Sequence, residues 1–186
     1  MSSSLILIII VVAVVGYAIV TYNALVRVRQ MVQEAWSGID VQLKRRADLI
    51  PNIVETVKGY AGHEKETLEK VTEMRTRAQS VPAGDVAGRA AAEGMLSQAL
   101  GRLMAVAEAY PDLKANENFR DLQGTLETLE SEIQMARRYY NGSARELNVK
   151  VESFPSNLIA SQFGFAKADY FELENEADRQ TPEVKF

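Results

Sequence analysis

The residues of this chain that could carry chemistry are few, and their spacing does not serve catalysis. There is one histidine, His63, and no cysteine. Zinc-type sites need several His or Cys ligands at suitable spacing, and this sequence has neither. His63 sits beside Glu64 and Glu66 and reads as a solvated surface residue. Glutamate clusters can hold di-iron inside helical bundles, but they use an E-x-x-H motif from each of two helices, and that spacing is absent. So are Gly-rich phosphate loops and nucleophile elbows. The expectation is a protein that is not an enzyme, with no catalytic residue, no cofactor, no metal and no small-molecule substrate.

Two constellations remain, and both point to contacts rather than reactions. The first is the charged string Asp40, Lys44, Arg45, Arg46 and Asp48, which with Gln42 and Asn52 decorates the polar side of a helix. It can serve as helix-surface ion pairing, such as Asp40 with Lys44, together with contacts to neighbouring helices. Each such pair contributes a few tenths of a kcal/mol. Alternatively it is a contact face for lipid headgroups or a partner. The second constellation is the aromatic segment Phe154-Pro155, Leu158-Ile159, Phe163-Gly164-Phe165 and Tyr170-Phe171, which has no long helical period. It can fold back and cap the open end of a helical body, or it can be a docking strip for a partner or another copy, since exposed aromatic clusters mark interaction sites.

The elements that position these residues start with the run LILIIIVVAVVGYAIV, Leu5 to Val20, which carries no charge. With Tyr22, Leu25 and Val26 it passes 20 residues, about the 30 Å of a bilayer's hydrocarbon core. A cleaved secretory signal would need a basic n-region, a shorter apolar stretch and a small-residue cleavage site; Ser2, Ser3 and Ser4 and the exit Thr21-Tyr22-Asn23 offer none. An uncleaved anchor that contacts membrane lipid through residues 5–26 is expected. Tyr17 and Tyr22 suit its interfacial end. Without a G-x-x-x-G pair, nothing favours dimerisation of the spans themselves. Basic residues follow the span (Arg27, Arg29, then Lys44, Arg45 and Arg46) and none precede it, so the N-terminus is expected outside and the larger part in the cytoplasm. The lack of cysteine fits a reducing compartment.

Charge is unevenly spread. From Asp169 onward six acids face Arg179 and Lys185, so this end carries the whole formal net charge of −4. An acidic, solvated and mobile terminus over 169–186 is expected. No basic stripe exists to neutralise a phosphate backbone, which argues against nucleic-acid binding.

Between these ends the hydrophobic period is helical. Trp36, Ile39, Leu43, Ala47, Ile50, Val54 and Val57 recur at intervals of three and four, as do Phe119, Leu122, Leu126, Leu129, Ile133, Ala136 and Tyr140. Ala144, Leu147, Val151 and Phe154 continue the second stripe; Leu96, Leu100, Leu103, Ala107 and Tyr110 form a shorter one, and Leu68, Val71 and Ala78 a weaker one. Stripes of this kind must pack together, which gives an all-α, antiparallel four-helix bundle behind an N-terminal transmembrane helix. Gly59 and Gly62, the turn Ser80–Gly84 with Asp85 as N-cap, and Pro111 with Asn116 as cap place helices over 23–60, 63–80, 85–110 and 116–154. Pro51 predicts a kink, or a break, in the first. Asn141 and Asn148, within apolar stripes, either fix helix register or face solvent. The organisation is therefore an anchor over 1–26, a helical body over 27–168 that includes the aromatic segment, and the tail.

Three blocks resemble the LemA family: Tyr22-Asn23 with IDVQLKRRADLIPN (Ile39 to Asn52) and VETVKGY (Val54 to Tyr60); YPDLKAN (Tyr110 to Asn116) with Phe119, Leu122 and Gln123; and RRYYN (Arg137 to Asn141) with FPSN (Phe154 to Asn157), Phe163-Gly164-Phe165 and Tyr170-Phe171. They run in order over nearly the whole chain. Leu147 departs from the aromatic that the family more usually places before Asn148. The resemblance implies a bacterial single-span protein of the cytoplasmic (inner) membrane with a short outer N-terminus and a cytoplasmic four-helix bundle. It implies no enzymatic activity, and for some relatives a part in organising membranes, including magnetosome formation. Two function classes stay open: a membrane-tethered scaffold or adaptor, assembling as an oligomer or docking a protein partner, and an accessory or sensor subunit regulating a membrane enzyme such as a protease.

Overall fold

The computed structural model describes residues 3–172. All regular structure among them is helical: α1 (Ser3–Tyr60), α2 (Lys65–Ser80), α3 (Val86–Glu108), α4 (Pro111–Ala115), α5 (Glu117–Glu152) and α6 (Ser156–Gln162). The acidic stretch expected to be mobile falls outside the described residues from 173 onward.

α1 is one uninterrupted helix of 58 residues. Its first part is long and apolar enough to cross a membrane by length and composition, and its side chains from Ser3 to Tyr17 are exposed. From Leu25 the pattern changes to a buried stripe: Leu25, Val28, Val32, Ala35, Ile39, Leu43, Ala47, Ile50, Ile53 and Val57. The intervals of three and four put every one of them on one face. Ile53 is buried where the sequence pattern favoured Val54, which is only partly buried.

Pro51 does not break α1. A proline donates no hydrogen bond, so the carbonyl four residues back, on Ala47, loses its helical partner. Arg75 on α2 supplies the missing donor, with its Nε 2.7 Å from the Ala47 carbonyl oxygen.

Tertiary contacts divide the chain into two compact units. In the unit formed by residues 40–135 together with, among the described residues, 170–172, stretches of α1, α2, α3, α4 and α5 share one core. That core includes Ile50, Ile53 and Val57, Leu68, Val71 and Met74, Leu96, Leu100 and Leu103, then Leu113, Phe119 and Leu126. Long-range bonds set directions. Asp40 and Arg46 meet Arg89 and Glu93, and Glu64 meets Tyr110, so α3 runs parallel to α1. Arg75 meets Ala47, while Tyr60 meets Asn116 and Arg46 meets Glu130, so α2 and α5 run against it. Caps set the helix starts: the Asp85 carboxylate accepts from the Gly88 N–H (2.8 Å) and the Asn116 side chain from the Phe119 N–H (3.0 Å).

The other unit comprises residues 1–39 and 136–169. Here α1 packs its Leu25–Ile39 stripe with Tyr140, Ala144 and Leu147 of α5 among the buried residues, and the rings of Trp36 and Tyr140 lie 5.5 Å apart. α5 ends at Glu152, so Phe154 leaves the stripe that the sequence continued through it and stands 80% exposed.

Candidate functional site

Of the two constellations, the aromatic segment is the better defined, and α6 explains how. The helix ends in a Schellman turn: the Phe165 N–H bonds the Ala160 carbonyl (2.9 Å) and the Gly164 N–H reaches that of Ser161 (3.4 Å). This turn needs a left-handed residue, and Gly164 supplies it at φ +69°. The chain therefore reverses between Phe163 and Phe165. Phe165 turns inward and is buried, with its ring 5.7 Å from that of Tyr22 and the Arg29 guanidinium 4.9 Å above it. Phe163 stays 57% exposed, edge-on to Tyr22 at 4.9 Å.

Beyond the turn, two side chains of α5 hold backbone that belongs to no helix. Asn148, 8% exposed, accepts from the Ala168 N–H (2.8 Å) and donates to the Ala168 carbonyl (2.9 Å). It thus stands in for the strand partner that this residue lacks. The Tyr140 hydroxyl donates to the Asp169 carbonyl (2.8 Å). Burial of Tyr140, reinforced by the nearby Asp169 carboxylate, pushes its phenol above the ordinary tyrosine value. The sequence left Asn148 between register and surface roles; its amide grips the returning chain.

The seven aromatic and apolar positions singled out from sequence thus divide. Phe165 and Phe171 are buried, Ile159 is partly buried, and Phe154, Pro155, Phe163 and Tyr170 are exposed. Leu158 joins the exposed set at 58%.

The charged string does not form one face. Arg46 is 1% exposed and lies on the buried stripe between Leu43 and Ile50. Its guanidinium bonds Glu93 on α3 and Glu130 on α5, and donates to the Ser97 hydroxyl at 2.9 Å. Arg89 closes the cluster, with Nε 2.9 Å from Glu93 and Nη2 3.5 Å from Asp40. Two guanidinium groups thus meet three carboxylates (Glu93, Glu130 and Asp40), and among the described residues the Arg46 Nε has no hydrogen-bond partner. Arg45 pairs with Glu132 at 2.8 Å and with Gln42 at 2.9 Å. Lys44 and Asp48 are exposed. Three members of the string therefore join helices to one another.

Sequence reasoning missed Glu93 and Glu130, yet a signal was present. Glu93 falls three residues before Leu96, on the backward extension of the α3 stripe. An acid there, opposite a basic residue on another stripe, marks a buried pair, because an unpaired buried charge is prohibitively costly.

His63 is exposed in the turn between α1 and α2. Among the described residues no group of three or more His, Cys, Asp or Glu side chains is placed to hold a metal.

A family model described as the LemA family matches residues 35–186. Magnetosome protein MamQ 2 of Paramagnetospirillum magneticum is 27% identical over 192 residues, covering 90% of this chain and 71% of the relative. Magnetosome protein MamQ of Magnetospirillum gryphiswaldense is 25% identical, covering 93% and 73% respectively. Protein LemA of Metamycoplasma hominis is 27% identical, covering 88% and 75%. The family match takes in α1 from Ala35 onward, the Arg46 cluster, the Asn148 clamp and the aromatic return, so the chain belongs to the LemA family.

Proposed function

We propose that this LemA family protein is a non-catalytic scaffold of a bacterial cytoplasmic membrane: a four-helix bundle held at the surface by a single transmembrane helix, assembling laterally with copies of itself. The N-terminus lies outside and the bundle in the cytoplasm. One observation carries the reading. α1 is a single helix whose exposed apolar start gives way, without interruption, to the stripe that builds the core. Such a helix couples a bilayer segment to a folded body with no linker that could swivel. The antiparallel α2 and α5 and the parallel α3 support the bundle, and the basic residues Arg27 and Arg29 after the apolar run support the orientation. The magnetosome names of two relatives fit an organising role at a membrane.

Substituting Ile9 with Arg places a charge at the centre of the span, at a cost of about 2.5–3.5 kcal/mol on insertion scales. The variant is expected to disappear from the membrane fraction, as read by fractionation of tagged protein. Sizing of the unaltered protein in mild detergent tests the scaffold itself. A large homo-oligomer is expected. A monomer that co-purifies with one defined membrane enzyme would replace the scaffold by the accessory-subunit role.

A further inference from the structure

We propose that the exposed apolar tip of the C-terminal return, formed by Phe154, Leu158 and Phe163, is a second lipid-contacting element that seats in the interface of the same bilayer that α1 enters. The inference rests on the membrane-anchor reading and adds a site to it.

Height along α1 is the first argument. Phe163 packs on Tyr22 with ring centroids 4.9 Å apart. Tyr22 follows Leu5 by 17 residues, which is about 25 Å of helix rise. With Leu5 at one edge of a hydrocarbon core about 30 Å thick, Tyr22 and the ring against it lie within the last turn before the opposite headgroups. That is the depth at which aromatic side chains gather, ring in apolar surroundings and edge toward water.

Composition is the second argument. Residues 153–166 carry no charge at all, in a chain of which 25% is charged. The stretch has already spent one side on the protein, where Ala160 and Phe165 are buried. Its other side turns out Phe154 at 80%, Leu158 at 58% and Phe163 at 57% exposure. The Gly164 reversal makes this division, sending Phe163 out and Phe165 in. Large apolar groups on a short helix and its two flanks match the apolar side of an interfacial element.

Charge complementarity is the third. Arg27 and Arg29, both exposed, follow Tyr22 by five and seven residues, about 8–11 Å further along the axis. Cations at that level meet anionic headgroups when Phe163 meets the acyl boundary. The occupant of the tip is therefore a lipid surface of anionic character.

The chain has no cysteine, so single-site labelling is free of background. Spin labels at Phe154→Cys and Leu158→Cys leave the Phe163–Tyr22 contact intact. Val12→Cys, in the apolar run, reports the anchor, and Glu73→Cys, exposed on α2, reports water. Each full-length variant is reconstituted in phosphatidylcholine–phosphatidylglycerol vesicles, and the accessibility of its label to oxygen and to a water-soluble nickel chelate is measured. Labels at 154 and 158 are expected to favour oxygen over nickel, less strongly than the label at 12, while the label at 73 favours nickel. Nickel preference at 154 and 158 with oxygen preference at 12 would overturn the second contact and leave the anchor standing. Nickel preference at 12 as well would overturn both. Labels at 154 and 158 shielded from both reagents and broadened by spin–spin coupling would overturn the lipid assignment in favour of a second copy of the chain.

Discussion

The two units bury polar groups of different kinds. In the 40–135 unit they are ions that answer one another, Arg46 and Glu93, joined from less buried positions by Glu130, Arg89 and Asp40. In the unit of residues 1–39 and 136–169 they are neutral, Asn148, Tyr140 and Ser143, and all three answer backbone. The difference follows from what each must hold. Three helices already satisfy their own amides, so what remains to be fixed is their relative level, and a guanidinium fork shared between α3 and α5 penalises sliding of either. A returning chain without regular structure has unsatisfied amides and carbonyls, and a side-chain amide with one donor edge and one acceptor edge supplies both. Ions are costly to bury and costlier to orphan; neutral clamps are cheaper to lose. Single substitutions should therefore damage the first unit more than the second.

The largest effect is expected from Arg46→Ala, which strands Glu93 in the core without its main partner. Removing one member of a buried pair costs about 3–5 kcal/mol, visible as a lowered urea midpoint for loss of helical circular dichroism in detergent. Replacing Arg46 and Glu93 together by Met should recover most of that loss, since well-packed apolar groups often match a buried pair. A double variant as weak as the single one would show that the cluster does more than satisfy itself.

Asn148→Ala comes next. It leaves the Ala168 N–H and carbonyl unpaired, and an orphaned buried group costs about 1–3 kcal/mol. Hydrogen exchange should accelerate over residues 165–169 while the Arg46 unit keeps its protection. Acceleration in both units alike would erase the distinction between them.

Tyr140→Phe removes one hydrogen bond, with an expected loss of about 0.5–1.5 kcal/mol. The same contact gives a pH dependence of definite sign. The folded state holds the Tyr140 proton more tightly than the unfolded chain, because burial and the Asp169 carboxylate raise the phenol above its ordinary value of 10.0. The stabilisation is therefore complete below about pH 10 and lost as pH climbs through the raised value. Exchange at residues 165–169 should quicken in that range for the unaltered protein, and Tyr140→Phe should flatten the response.

Much of the helical framework was legible in the sequence because it rests on a local period. The Ile39–Val57 and Phe119–Leu147 stripes are buried nearly position for position, and Asp85 and Asn116 cap where their spacing said they would. The misreadings lie where a long-range partner decides. Pro51 predicted a kink or a break; α1 continues through it, and whether a freed carbonyl is tolerated depends on Arg75, 24 positions later in the sequence. Arg46 looked like part of a polar face because its neighbours in sequence are charged; its stripe position and the distant Glu93 bury it. Phe154 fits the α5 period, but the helix stops at Glu152 and the residue turns outward. The aromatic segment was identifiable from composition alone, whereas its division into inward Phe165 and outward Phe163 hangs on one left-handed glycine.

The central claim is that α1 passes from the bilayer into the folded body as a single helix in the working protein. Intact-mass analysis of the chain recovered from native membranes after alkaline carbonate washing tests it most directly. The account predicts that the protein stays in the pellet until detergent is added and that the recovered species includes the Leu5–Val20 run. Release by carbonate alone, or a recovered species lacking that run, would contradict it.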